Sequence, residues 1–128
     1  MRKSDMNIPE HSERLSWVHA SDDLGELAKR YDNWAEEYDR DSAKSGSKMI
    51  PIGAALTCRF VKPKDGLILD AGAGTGKLGE LLWPLGYKDI VGIDISEGML
   101  KAAQKKGVYK EVRQMTIGER MDFPDDYF

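Results

Sequence analysis

The first part of the chain changes from a polar, aperiodic stretch to a regular amphipathic pattern. Residues 1–20 are polar and show no periodicity, which is typical of a disordered tail. Apolar side chains then recur at three- and four-residue steps from Leu24 to Tyr38. This spacing predicts a helix over residues 21–41, with Ser21 placed to cap it.

The rest of the pattern alternates between short apolar runs and helical stretches. Pro51 lies at a permitted first-turn position of a second helix, predicted over residues 52–61. Three strands then alternate with two helices, and Ser96 precedes the second of these helices as its predicted cap. The predicted strands cover 67–71, 89–94 and 109–115, and the helices 75–82 and 97–106. This βαβ order predicts an α/β fold with a Rossmann-like, doubly wound parallel sheet behind N-terminal helices.

Length and composition narrow the class of protein. The 128 residues, 41% of them hydrophobic, suit one domain, which we expect over residues 21–128. With 19 Lys+Arg against 22 Asp+Glu, the net charge of −3 predicts neither a nucleic-acid nor a membrane partner. The single cysteine, Cys58, excludes an internal disulfide and a multi-cysteine zinc site; we expect it to be buried. The sequence indicates no metal site and favours a cytoplasmic location.

A glycine cluster between the first strand and the next helix is the main chemical signal. Residues 70–76 read D-A-G-A-G-T-G, and glycine there permits a tight turn and the close approach of a ligand. A P-loop is excluded because its first glycine position holds Ala71 and because Leu78 follows Lys77. The dinucleotide fingerprint fails once, because its last glycine position holds Lys77.

The remaining motif, D-x-G-x-G-x-G, resembles the first motif of the class I S-adenosylmethionine (SAM) dependent methyltransferases. Asp70 and the glycines of residues 72–76 match it, and Asp94 at the end of the next strand matches that family's second acidic position. The resemblance implies that SAM is the cofactor. A glycine-rich turn formed only for tight packing is the alternative, and the strand, helix and Asp94 around the motif make it the weaker one.

The resemblance also implies a role for each matching residue. The methionine carboxylate of SAM would lie near Thr75 and Gly76, and the ribose hydroxyls would donate to Asp94. Asp70 would orient the loop and accept from the ammonium group, while Ile95 and Met99 would flank the adenine. The full set of expected cofactor-binding residues is Asp70, Gly72, Ala73, Gly74, Thr75, Gly76, Asp94, Ile95, Met99, Trp34 and Tyr38.

A segment ahead of the glycine motif narrows the resemblance. Residues 31–39, Y-D-N-W-A-E-E-Y-D, are similar to a segment of the methyltransferase-like branch named for the Williams-Beuren syndrome critical region. In such enzymes the segment packs over the SAM site, which implies that Trp34 and Tyr38 contact the cofactor. The periodicity alone is equally satisfied if both are simply the core face of an amphipathic helix.

The resemblance covers about residues 22–128 and includes only the first three strands of the family's larger sheet. We therefore expect a sheet truncated after its third strand, without the acceptor-binding half. Many members of the family carry an acidic residue just after the third strand for the adenine amino group. Residues 116–118, T-I-G, occupy that place here, which leaves backbone groups or Glu119 for the contact.

Three functions follow as hypotheses. The first is a SAM-dependent methyltransferase that acts on an unidentified acceptor, expected to be a small molecule. The second is a non-catalytic SAM-binding fragment or interaction module. The third is a fragment of a nicotinamide dehydrogenase, disfavoured by Lys77 in the glycine motif. The sequence identifies neither a catalytic residue nor an oligomeric state.

Overall fold

A computed structural model of the chain describes residues 8–128. A short 3-10 turn at His11–Glu13 precedes five helices and three strands in these residues, and a second 3-10 turn follows α4 at Trp83–Leu85. The helices are α1 (Arg14–His19), α2 (Leu24–Lys44), α3 (Met49–Phe60), α4 (Lys77–Leu82) and α5 (Glu97–Lys105), and the strands are β1 (Ile68–Ala71), β2 (Ile90–Asp94) and β3 (Glu111–Gln114).

The three strands form one parallel sheet in the order β1-β2-β3. The central strand β2 is buried from Ile90 to Ile93, because it has a strand on each side and helices packed against the sheet. The edge strand β1 is only half-buried, and its last residue, Ala71, is exposed. The Rossmann-like α/β class is therefore confirmed, and β1 is less buried than β2 because among the described residues it has a strand on one side only.

Helices cover the sheet in two groups. α3 packs against α4, and together with the sheet they enclose a core around Leu82, Tyr87 and Ile90. α2 packs against α5, which in turn packs on β2 and β3. Ser96 caps α5 as predicted, because its side chain accepts a hydrogen bond from the Met99 amide at 3.1 Å.

Part of the predicted disordered tail, residues 14–19, is helical. Residues 1–7 lie outside the described part of the chain, but α1 is helical and Val18 is completely buried. Arg14 binds the carboxylates of Glu37 and Asp41 on α2, the latter at 2.9 Å. The prediction of a disordered tail is therefore wrong for α1, since these long-range contacts leave no trace in the periodicity of a short polar segment.

α2 begins and ends later than its pattern predicted. Its cap is Asp23, whose side chain accepts from the Glu26 amide at 2.7 Å, whereas Ser21 lies two residues upstream and donates to the Asp23 carbonyl. The helix continues to Lys44 through a stretch predicted to be a loop. Both serine and aspartate are good caps, so local preference alone does not choose between neighbouring candidates.

α3 starts at Met49, three residues before its predicted beginning, with Pro51 still inside the first turn where its missing N–H costs nothing. Cys58 is exposed, contrary to prediction, because α3 buries only the side that carries Ala54. Although α3 is largely apolar, no helix within residues 8–128 combines the length and hydropathy needed to span a membrane. Its outward side chains include Met49, Ile52, Leu56 and Phe60.

Two adjacent leucines of α4 test the importance of the core. Leu82 is completely buried, whereas Leu81 is 42% exposed on the same helix. We expect Leu82→Ala to lower the free energy of unfolding by about 2–5 kcal/mol, because it leaves a cavity that the surrounding side chains fill only in part. Leu81→Ala is the matched control, with an expected change of about 0.5 kcal/mol or less. Urea unfolding followed by circular dichroism measures both; equal losses would contradict the assignment of the core.

Candidate functional site

A cavity of about 350 Å³ lies at the carboxyl ends of the three strands, beneath α2. This is the edge at which open α/β sheets bind their ligands. The turn after β1, the end of β2 and the segment after β3 form one side, and α2 forms the other. The residues around the cavity are Leu24, Leu27, Tyr31, Tyr38, Gly72, Gly74, Asp94, Ile95, Met99, Met115, Thr116 and Ile117.

The glycine turn has a backbone that other residues adopt only with strain. Gly72, Gly74 and Gly76 have φ values of 80°, 55° and 84°, whereas the residues between them do not have positive φ. Side chains with a Cβ disfavour this left-handed region, so the alternation of the motif follows from the shape of the turn. The amides of Gly72 and Ala73 both donate to the Ile93 carbonyl at 2.9 Å, which fastens the turn to β2.

Asp94 connects the two turns that border the cavity. Its Oδ2 accepts from the Gly74 amide at 2.8 Å, and its Oδ1 accepts from the Ser96 amide at 2.9 Å. Each carboxylate oxygen has more than one lone pair, so these backbone contacts leave acceptor capacity toward the cavity. Asp94 can therefore hold the glycine turn and also receive two neighbouring hydroxyl groups.

Asp70 lies behind the cavity wall rather than in it. Its Oδ2 accepts a 2.6 Å hydrogen bond from the hydroxyl of Tyr109. Burial raises the pKa of Asp70 above its usual value; the Tyr109 hydroxyl opposes this shift and the negative charge of Asp94 adds to it. In this structure Asp70 contacts the Tyr109 hydroxyl, and the Tyr109 ring packs against Gly76 of the glycine turn.

Tyr109 is a functional candidate that sequence reasoning missed. Its ring fills a space bounded by three glycines: an added Cβ would lie 2.8 Å from the ring at Gly76, 2.6 Å at Gly79 and 3.1 Å at Gly92. Its hydroxyl donates to Asp70 and accepts from the Gly79 amide at 3.2 Å. The only sequence signal was the presence of isolated glycines within a helix and a strand, which often marks a close approach by another group.

The aromatic residues of α2 divide between the core and the cavity. Trp34 is only 6% exposed, and its indole N–H donates to Asp41 Oδ2 at 2.8 Å. Tyr31 and Tyr38 line the cavity and pack against the Trp34 ring, with centroid separations of 6.4 and 4.8 Å. Burial, followed by nearby acidic groups that include Asp94, raises the pKa of both phenols. The core interpretation thus fits Trp34, and the cavity interpretation fits Tyr38.

The structure brings about half of the expected cofactor-binding residues to the cavity. Gly72, Gly74, Asp94, Ile95, Met99 and Tyr38 line it, whereas Asp70, Ala73, Thr75, Gly76 and Trp34 do not. The last five lie behind the lining residues and shape them through packing and hydrogen bonds; the Thr75 hydroxyl, for example, donates to Asp39. Sequence reasoning did not propose Leu24, Leu27 or Tyr31, although they share a helical face with Tyr38; the other lining residues, Met115, Thr116 and Ile117, belong to the segment after β3.

The segment after β3 supplies apolar rather than acidic groups to the cavity. Thr116 and Ile117 line it, and the Ile117 side chain lies over Gly72, where an added Cβ would be 3.6 Å away. Glu119 lies in a neighbouring, more polar depression with Arg113 and Arg120. Its amide donates to the Thr116 carbonyl, which folds the segment back on itself.

Comparison with known proteins agrees with this geometry. Residues 68–128 match the methyltransferase domain family. The chain is 31% identical over 115 residues to methyltransferase-like protein 27 of Homo sapiens, 34% over 73 residues to the eEF1A lysine and N-terminal methyltransferase of Bos taurus, and 35% over 98 residues to the biotin biosynthesis bifunctional protein BioHC of Saccharophagus degradans. Residues 68–128, which include all three strands, are thus similar to a methyltransferase domain, and the Rossmann-like α/β fold agrees with that likeness.

The chain spans only part of each relative. The alignments cover 88%, 55% and 76% of this chain but 47%, 10% and 16% of the human, bovine and bacterial proteins. The alignment with the human protein is longer than the matched domain, so it extends upstream into the N-terminal helices. The likeness therefore includes elements on both sides of the cavity.

The raised pKa of Asp70 leads to a prediction on stability. Because the folded chain holds this proton more tightly than the unfolded chain, stability falls as pH rises through the interval between the two pKa values, and the loss persists at neutral pH. We expect Asp70→Asn to raise the melting temperature at pH 7, since the amide oxygen still accepts from Tyr109 without carrying a charge.

The gain from Asp70→Asn is expected to shrink as pH falls through about 4, because the carboxyl becomes increasingly protonated in both states. The effect is measured as the melting temperature at several pH values between about 3.5 and 7, an interval that samples both the protonated and the ionised carboxyl. Asp125→Asn, at an exposed position, is the control and is expected to change little. A melting temperature of Asp70→Asn that is lower than that of the unaltered chain at pH 7 would contradict the role of burial.

Proposed function

We propose that this chain carries the cofactor-binding part of a SAM-dependent methyltransferase whose acceptor is a small molecule. The observation that carries the proposal is the single cavity wall formed by Asp94, the left-handed glycine turn and the apolar side chains around them. A cavity of this size falls within the range of roughly 300–1,000 Å³ that is usual for small ligands.

The lining suits the separate parts of SAM. Asp94 can accept hydrogen bonds from the two ribose hydroxyls, and Ile95 and Met99 offer apolar surface to the adenine. The glycine turn suits the amino-acid end, because the two turn residues that line the cavity, Gly72 and Gly74, have no side chains. Tyr31 and Tyr38 present aromatic rings, which attract a sulfonium cation through their π electrons. Backbone groups of the segment after β3 would replace the missing acidic contact to adenine.

The chemistry requires little from side chains other than position. Bound SAM would supply a methyl group activated by its positive sulfur: a lone pair of the acceptor would bond to the methyl carbon as the carbon–sulfur bond breaks and S-adenosylhomocysteine leaves. The chain's own contribution is to bind and orient the donor. Two apolar side chains at the start of α2, Leu24 and Leu27, cover the cavity and exclude water from it. No side chain of the cavity is assigned as a general base, which only an acceptor that must lose a proton would need.

Two observations support the choice of branch, and a third supports the choice of acceptor. Residues 31–39 resemble the segment of the Williams-Beuren syndrome critical region branch, and the alignment with the human methyltransferase-like protein 27 reaches the N-terminal helices. The relative named for biotin biosynthesis aligns over more of this chain than the relative named for eEF1A methylation. A protein acceptor remains the competing hypothesis, and the second of these relatives is the reason to test it.

Titration with S-adenosylhomocysteine tests the cofactor. We expect the unaltered chain to bind it in calorimetry and Asp94→Ala to bind it roughly tenfold to hundredfold more weakly, because hydrogen bonds to a charged carboxylate are lost. Asp94→Asn, which keeps one acceptor oxygen, is expected to lie between the two. Asp89→Asn is the control, since Asp89 lies just before the other end of β2, exposed and paired with Lys110.

The same titration separates the alternatives. Tighter binding of NAD than of S-adenosylhomocysteine would favour a dehydrogenase fragment, and no binding of either would reject the cofactor site. Melting curves of each variant are needed beside the titration, because Asp94→Ala also removes the acceptor of the Gly74 and Ser96 amides. A loss of affinity in Asp89→Asn equal to that in Asp94→Ala would remove Asp94 from the site.

The acceptor class has its own test. The chain is incubated with methyl-labelled SAM and either the small-molecule fraction or the protein fraction of a cell extract, and any label that is transferred is expected in an acceptor of the small-molecule fraction only. Label in the protein fraction would instead support a protein acceptor. Binding of S-adenosylhomocysteine without transfer in either fraction would favour a non-catalytic SAM-binding module. Asp94→Ala serves as the matched control for background label.

A further inference from the structure

α2 carries the same tyrosine-aspartate pair twice. Tyr31 precedes Asp32 and Tyr38 precedes Asp39, with two helical turns between the pairs. Each tyrosine lines the cavity, whereas the two aspartates contact opposite ends of α5. The proposed function uses only the tyrosines, so the two carboxylates require a separate account.

Asp32 attaches α2 to the start of α5. Its Oδ1 accepts from the Ser96 hydroxyl at 2.5 Å and from the Gly98 amide at 2.7 Å. The two helices come so close here that an added Cβ at Gly98 would lie 2.9 Å from Cα of Asp32. Ser96 is itself completely buried, and its amide donates to Asp94. Asp32 is therefore one contact away from the carboxylate assigned to the ribose.

Asp39 attaches the second half of α2 to the glycine turn and to the end of α5. It accepts from the Thr75 hydroxyl and forms a 2.7 Å ion pair with Lys106. Burial opposes the charge, but the contacts from Lys106 and Thr75 and the charge of Lys77 outweigh it and hold the pKa of Asp39 below its usual value. Asp39 is thus ionised, and its contacts with both elements persist, at neutral pH.

The two attachments act on one rigid aromatic unit. Tyr31 and Tyr38 both pack on the buried Trp34 between them, so the helix carries its cavity-lining rings as a group. The separation between these rings and Asp94 depends on how closely α2 lies against α5 and the glycine turn. The contacts of Asp32 lie at one end of this aromatic unit and those of Asp39 at the other.

We propose that Asp32 and Asp39 are positioning residues that hold Tyr31 and Tyr38 at the distance from Asp94 that the cofactor requires. The inference rests on the proposed function, because it assumes that the cavity binds SAM. It adds that affinity depends on two carboxylates that do not line the cavity, each acting through the tyrosine that precedes it.

A double-mutant cycle on the binding of S-adenosylhomocysteine tests the proposal. We expect Asp39→Ala and Tyr38→Ala each to weaken binding by about tenfold, comparable to the loss of one good contact. The double variant is expected to bind little more weakly than either single variant. Asp39 would affect binding only through the position of the Tyr38 ring, so its removal adds little once that ring is absent. Asp32→Ala and Tyr31→Ala form the corresponding second cycle.

Conservative variants separate positioning from folding. Asp32→Asn keeps the Oδ1 acceptor for its two neutral donors and is expected to bind as the unaltered chain does. Asp39→Asn keeps an acceptor for Thr75 but loses the ion pair with Lys106, so a partial loss is expected. Both remain informative if the alanine variants fail to fold. Asp22→Ala, an exposed carboxylate just before α2, is the control for charge.

Each outcome has a defined meaning. Full additivity of Asp39→Ala with Tyr38→Ala would overturn the inference, because Asp39 would then act through the glycine turn and not through the tyrosine. Unchanged affinity in Asp32→Ala and Asp39→Ala, with the unaltered chain still binding, would also overturn it while leaving the proposed function intact. If the unaltered chain does not bind S-adenosylhomocysteine, the proposed function fails, and this inference fails with it.

Discussion

The carboxylate of Asp94 is the contact on which the rest of the site depends. It lies at the end of the buried central strand and accepts one backbone amide from the glycine turn and one from the start of α5. Those two turns belong to different βα units, and nothing local in either requires them to meet. Because one carboxylate satisfies both, the turns are fixed relative to each other before any ligand arrives, which is the condition for a preformed site.

Support for this arrangement comes from a layer beneath the cavity. The ring of Tyr109 occupies the space left by Gly76, Gly79 and Gly92, and its hydroxyl holds the buried carboxylate of Asp70. Burial disfavours the charged form of an acid and raises the pKa of Asp70. A carboxylate kept there at the expense of stability is consistent with a site selected for binding.

α2 joins the N-terminal helices to the sheet through polar contacts as well as apolar ones. Arg14, Asp32 and Asp39 connect it to α1, α5 and the glycine turn, while its tyrosines face the cavity. A helix held in this way can contribute a wall to a site formed mainly by strand ends. The alignment of the human relative, which reaches upstream of the matched domain, agrees with α2 being part of the same unit.

The sequence by itself determined the order of strands and helices from α2 onward, the Ser96 cap and the tight glycine turn. These depend on periodicity, on capping by a nearby side chain and on backbone strain, all of which act within a few residues. Only the tertiary structure decided that Tyr38 faces the cavity while Trp34 is buried, and that Tyr109 supports Asp70. Such choices depend on residues far apart in the chain, which meet only after the helices pack on the sheet. The same reason explains the helical α1, the exposed Cys58 and the half-buried β1.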